Sequence, residues 1–131
     1  MRRDELIYSD LSYEIFGILF KVQNELGRYC NEKQYGDSIE EKLKENKISY
    51  AREKTLPVSF EGEKINRNKV DFIIENKIIL ELKCSNFTTK ENYYQLRRYL
   101  SAYNLKLGIL VNFRDKYLKP KRILNSECKE Y

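Results

Sequence analysis

The chain predicts an α/β fold in which a central mixed β-sheet is flanked by α-helices, and three observations carry that reading. Apolar residues recur at a helical period through the first third of the chain. From Ile48 the period shortens to that of strands, and it returns to helical only once, after Cys84. The resulting order, α-α-β-β-β-α-β-β, packs as one sheet with helices laid against it. With 131 residues there is room for one hydrophobic core and little more, so residues 1–131 are expected to form a single domain.

Each element has its own signals. In "SDLSYEIFGILFKVQNELG", Leu11, Ile15, Leu19, Val22 and Leu26 keep helical spacing, with Ser9 or Asp10 suited to the N-cap and Gly27 to the stop. In "NEKQYGDSIEEKLKEN", Tyr35, Ile39 and Leu43 form one stripe, Asn46 suits its end, and Glu32 falls on or beside the inward side. "ISYAREKTLPVSF" reads as extended, with Glu61-Gly62 as its turn. A strand ending near Ile74 and the strand "KIILELKC" follow, separated by a short turn around "ENK". In "KENYYQLRRYLSAYN", capped by Thr88 or Thr89, the residues expected to face inward are Tyr93, Leu96, Leu100 and Tyr103. "KLGILVNF" reads as a buried strand and "KRIL" as a short last one.

Composition narrows the chemistry. The 25 Lys and Arg against 20 Asp and Glu leave a net charge of +5, which suits a polyanionic partner without requiring one. No apolar run approaches the roughly 20 residues that span a bilayer, and "MRRDELIYSD" lacks the apolar segment of a signal peptide, so a cytoplasmic protein with no membrane partner is expected. Cys30, Cys84 and Cys128 are too scattered for a disulfide framework or a CxxC metal site and read as reduced thiols. The chain has no histidine. That excludes Ser-His-Asp and Cys-His mechanisms and hydrolases that depend on histidine as zinc ligand or general base.

The stretch "VDFIIENKIILELKC" is too apolar to carry Asp71, Glu81 and Lys83 without a reason, because a buried charge must be neutralised or must bind something. Alternation along strands puts Glu81 and Lys83 on one face, with Ile79. On the preceding strand Val70, Phe72 and Ile74 share a side, leaving Asp71 with Ile73. A three-residue loop at Glu75, Asn76 and Lys77 sets Asp71 directly across from Glu81, whereas a two-residue loop separates them. Two carboxylates that close resist joint ionisation unless a cation compensates. Mg²⁺ suits such a pair, since it takes hard oxygen ligands and is commonly held by only one or two carboxylates. Lys83 then stands where it can orient or help deprotonate the attacking water, or stabilise phosphate charge. The same spacing also fits an ordinary solvated face with a cross-strand ion pair.

Taken together, Asp71 after "NRNK" and "ELK" from Glu81 to Lys83 resemble the PD-(D/E)XK nuclease superfamily. Within it the chain is similar to the small GxxExxY proteins. The helix ending in "VQNELG", Glu32 and Tyr35 as Glu-x-x-Tyr, "LPVSFEGEKI", the D…E-x-K core, "QLRRYL" and "LGILVNF" follow that family's order, from about Glu5 to Leu124. Tyr29 stands where the family's name has glycine, and Asn92 where many members have histidine.

The resemblance implies a restriction-endonuclease-like fold and a metal-dependent nuclease that hydrolyses phosphodiester bonds, of DNA before RNA. It implies Mg²⁺ or Mn²⁺ held by Asp71, Glu81 and the backbone carbonyl of Leu82, with Glu32 as an outer ligand. Lys83 and Gln95 complete the catalytic set, Gln95 pairing with Lys83 or a phosphate and sharing a helix face with Tyr99. An accessory module that uses the nuclease fold to bind nucleic acid or a protein stays open as the alternative, as does a homodimer.

Overall fold

The computed structural model describes residues 7–58, 60–64 and 68–127; Cys128 and parts of the "LPVSFEGEKI" segment lie outside them. Helix α1 (Ser9–Leu26) buries Ile15, Ile18, Leu19 and Val22. Neither Ser9 nor Asp10 caps it. The N-cap is Tyr8, in a left-handed conformation (φ 51°) and without a side-chain cap; its carbonyl accepts from the Ser12 N–H and so closes the first turn itself. Gly27 ends the helix as expected, at φ 76°, a conformation glycine adopts without a Cβ penalty.

Helix α2 (Glu32–Glu45) starts at Asn31, whose side chain accepts from the Gln34 N–H while the Gln34 side chain accepts from the Asn31 N–H. Tyr35, Ile39 and Leu43 are its buried stripe, and Asn46 its C-cap. Ile48, expected to open a strand, belongs to the helix end instead. Lys47 turns left-handed (φ 57°) and the Ile48 N–H bonds back to the Leu43 carbonyl, tucking Ile48 into the core.

Strands β1 (Tyr50–Thr55), β2 (Lys69–Ile74), β3 (Ile78–Lys83), β4 (Leu107–Asn112) and β5 (Lys121–Leu124) lie in that order in one sheet. Only β3 and β4 are parallel, joined through helix α3 (Lys90–Tyr103); the other neighbours are antiparallel. This is the mixed sheet flanked by helices that the sequence predicts. Leu96 and Leu100 of α3 are buried and Tyr103 packs against the same cluster, as expected; Tyr99 is buried there as well, and Tyr93 is exposed instead. Gly108 on β4 lets the helix approach: a Cβ there would meet Leu96 side-chain carbons at 2.9 Å.

Two apolar clusters flank the sheet. One joins α1 and α2 to Phe72, Ile74, Ile78, Leu80 and Leu82; the other joins α3 to Ile73, Ile79, Leu110 and Ile123. Among the described residues, no helix is long and apolar enough to cross a membrane, and Cys30 and Cys84 are free thiols.

Candidate active site where the sheet opens

The loop between β2 and β3 determines whether Asp71 and Glu81 meet. Pairing of Ile74 with Ile78, Ile73 with Ile79 and Phe72 with Leu80 leaves three loop residues, 75–77. Glu75 and Asn76 both take φ 54°, and the Lys77 N–H bonds to the Ile74 carbonyl. Asparagine tolerates that conformation; Glu75 is held in it from outside, its carboxylate accepting from the Ser49 N–H at 2.8 Å and its own N–H donating to the Ser49 carbonyl at 2.9 Å.

Beyond Phe72 and Leu80 the regular ladder stops, and side chains replace carbonyls. The Asp71 N–H donates to Oε1 of Glu81 at 2.9 Å, and the Leu82 N–H donates to Oδ2 of Asp71 at 2.7 Å. Each carboxyl group thus satisfies a backbone donor of the opposite strand, and the two acids are brought together.

The strand alternation also breaks here, contrary to the sequence expectation that Val70 shares a side with Phe72 and Ile74. Val70 packs with Leu56 in the α3-side cluster, while Phe72 and Ile74 lie in the cluster on the other face. Strand β1 crosses over at the same level. Arg52 lies over the Phe72 ring and bonds to Asp37 and Glu40 of α2, whereas Lys54, two residues on, lies over Tyr103 of α3. Between them Glu53 takes φ 53° and drops out of the pairing, in register with Asp71. A non-glycine residue rarely holds that conformation inside a strand. Its consequence is that both strands exchange faces at Glu53 and Asp71, which turns Asp71 toward the gap beside β3.

Burial and mutual repulsion shape the acids. Glu81 is 5% exposed, and loss of water together with the Asp71 charge pushes its pKa up to about 8. Asp71 is raised as well, chiefly by burial, while the Leu82 N–H, Lys83 and a hydrogen bond from the Glu81 carboxyl favour its charged form. Glu32, the first residue of α2, is exposed as a whole, yet the surrounding protein removes enough water from its carboxyl to raise its pKa, and the Asp71 charge adds to this. Half-buried Lys83 offsets all three acids. Without a cation, burial and the charge each acid meets in the other favour the protonated form of the pair.

This arrangement has a consequence for stability. The Glu81 proton is held up to about pH 8 in the folded chain and is lost near 4.5 once unfolded. The folded state therefore binds more protons across that interval, and its stability falls as pH rises from about 4.5 to 8. In chelator-treated protein the Tm should decline from pH 5 to pH 8. Glu81→Gln, which keeps an acceptor for the Asp71 N–H and cannot ionise, should flatten that decline. A wild-type Tm indifferent to pH over the interval would show that the pair ionises normally.

The structure sorts the remaining expected residues. Leu82 is buried and contributes its N–H to Asp71. Gln95 is half-buried on α3, one turn from Tyr99, and no hydrogen bond joins it to Lys83 or to either acid. Tyr99 is buried close enough for the Glu81 charge to help raise its phenol pKa, after burial itself. Asn92 serves the backbone, forming the capping box of α3 with Thr89. Sequence reasoning misses Glu53. Nothing in "YAREKT" signals its backbone conformation, yet its charge reaches Asp71.

Among the described residues no three His, Cys, Asp or Glu side chains form a ready-made metal cage. Two hard carboxylates that repel one another are nevertheless the donor set Mg²⁺ accepts, because it keeps several waters of its own. A family model described as the PD-(D/E)XK nuclease superfamily matches residues 9–123. Neither a curated protein nor a solved structure matches the chain.

Proposed function

The chain belongs to the PD-(D/E)XK nuclease superfamily, and from that premise we propose that it is a nuclease, dependent on Mg²⁺ or Mn²⁺, that hydrolyses phosphodiester bonds of DNA. The observation that carries this reading is the exchange of hydrogen bonds by which Asp71 and Glu81 replace the β2–β3 ladder. A structural ion pair has no need to interrupt a sheet, and burying two acids against each other raises both pKa values instead of stabilising their charges.

Asp71 and Glu81 would hold the cation, with the Leu82 carbonyl contributing and Glu32 acting from the α2 N-terminus. When bound, the ion supplies positive charge that offsets the two carboxylates and the phosphate. Lys83 keeps a further cation beside the acids, where it can orient the attacking water and stabilise negative charge growing on the phosphate. Gln95, on the α3 face above the sheet, is left to position the phosphate. Tyr99, a buried residue of α3 whose phenol feels the Glu81 charge, walls the site on that side.

The direct test is cleavage of labelled single-stranded DNA, duplex DNA and RNA with Mg²⁺ or Mn²⁺. DNA should be cut, and a chelator should stop the reaction. Cutting that persists in chelator would reject metal dependence, and a protein that leaves all three substrates intact would reject the nuclease reading.

A further inference from the structure

Beside the acids lies a cluster that the proposed chemistry does not use. We propose that Arg28, Tyr29 and Arg114 form a clamp for a nucleic-acid strand whose bases are unpaired, the arginines gripping a backbone phosphate near the one cut and Tyr29 stacking on a base. The proposal rests on the nuclease reading and narrows its substrate to single-stranded or frayed nucleic acid.

The two arginines are fixed by a reciprocal pair of bonds. Nε–H of Arg28 donates to the Arg114 carbonyl at 2.9 Å, and Nε–H of Arg114 donates to the Arg28 carbonyl at 2.8 Å. Both guanidinium carbons stand 5.4 Å from the centroid of the Tyr29 ring. Backbone carbonyls take only the Nε–H groups. Among the described residues no carboxylate or other acceptor engages the terminal nitrogens of either arginine. Two half-buried cations are thus held against one ring with no carboxylate among the described residues bonded to them. That is a poor arrangement for stability and a good one for a phosphate, which matches the planar donor fork of arginine.

The scaffold behind the cluster is stiff. Tyr35 is fully buried and stacks on Phe113, with centroids 4.2 Å apart and planes at 9°. Its hydroxyl donates to the Gly27 carbonyl and accepts from the Cys30 N–H, pinning the loop that carries Arg28 and Tyr29. The Gln23 amide donates to the carbonyls of Phe113 and Asp115, on either side of Arg114. An anchored loop therefore presents a ring that is 77% exposed. Most of its surface is therefore open to a base.

Position relates the clamp to the acids. The Phe113 N–H bonds to the Lys83 carbonyl at 2.9 Å, so Arg114 follows the residue joined to Lys83. Arg28 and Tyr29 enter the loop that ends at Glu32. An exposed aromatic ring can stack on a base only when that base is out of a duplex, which is why the cluster selects an unpaired strand.

The test is steady-state cleavage in Mg²⁺ of a single-stranded oligonucleotide and of the matching duplex. Tyr29→Ala should raise KM for the single strand by about 5–150-fold, the effect of losing one stacked base, with a smaller rise for the duplex and little change in kcat. Tyr29→Phe keeps the ring and should restore KM. Arg114→Gln should lower the salt dependence of log KM by about 0.7, as expected for one lost phosphate contact on a single strand. Because Tyr29 is exposed, its variants should melt like the wild type. Wild-type cleavage with an unchanged KM in Tyr29→Ala would overturn the clamp and leave the nuclease standing. A KM rise equal for both substrates would overturn the preference for unpaired strands. No cleavage by the wild type would remove both readings.

Discussion

Lys83→Ala is expected to lower the rate of DNA cleavage by about 10²–10³, the usual effect of removing one electrostatic stabiliser of a transition state, while leaving divalent-metal binding largely intact. The two outcomes separate because lysine offers no oxygen ligand. The Asp71 and Glu81 carboxyl groups keep their backbone donors without it. What goes is the positive charge that acts on Asp71, Glu81 and Glu32. Gel-resolved single-turnover cleavage, paired with calorimetric titration of Mn²⁺, reads both quantities. Equal rates from wild type and variant would make Lys83 an ion-pair residue and remove it from the mechanism. Its loss should not unfold the chain, since the residue is only half-buried and alanine leaves no unpaired charge on its side.

Asp71→Asn should have the larger effect on the cation. Losing an outer-shell partner already costs metal sites about 10–100-fold in affinity, so removing one of two carboxylates that would contact the ion should exceed that range and leave little measurable heat on titration. Asparagine is the informative replacement. Its side-chain oxygen still accepts from the buried Leu82 N–H, whereas alanine would orphan that donor at a cost of about 1–3 kcal/mol. Its amide can also donate toward Glu81, allowing that acid to ionise at lower pH. A variant that binds metal as the wild type does would show that Asp71 is not a ligand. A variant that loses metal but melts normally would separate ligation from folding.

Glu53 gives the site a feature with a cost. A glutamate held at φ 53° inside a strand is strained, by roughly 1–3 kcal/mol for a non-glycine residue in a sparsely populated region. The return is geometric. The Arg52 side chain stays against α2, where it bridges Asp37 and Glu40, and Lys54 reaches α3. The exchange of faces at this level is what lets β2 turn Asp71 out of the regular ladder.

The secondary structure was legible because its signals are local. A stripe such as Tyr35, Ile39 and Leu43, a stop such as Gly27 and a capping threonine such as Thr89 act within a turn or two of themselves. The few misplaced boundaries have local causes that spacing does not reveal, as when Ile48 folds back on Leu43 or the Tyr8 carbonyl closes α1 without a cap. The Asp71, Glu81 and Lys83 pattern was equally visible, since charges within an apolar hairpin stand out against a simple period. Whether those charges meet was not visible: it depends on a three-residue loop whose left-handed Glu75 is held by Ser49, and Ser49 lies 26 positions away. The same holds for Glu53, which acquires its place only through pairing of β1 with β2, and for Arg28 and Arg114, which bond across 86 positions. Periodicity and turn chemistry are carried by neighbouring residues, so the sequence alone determined the elements and nominated the acids. Register, the exchange of strand faces and contacts between distant loops arise only when the sheet closes, because backbone pairing, twist and helix packing must then be satisfied together; these the tertiary structure decided.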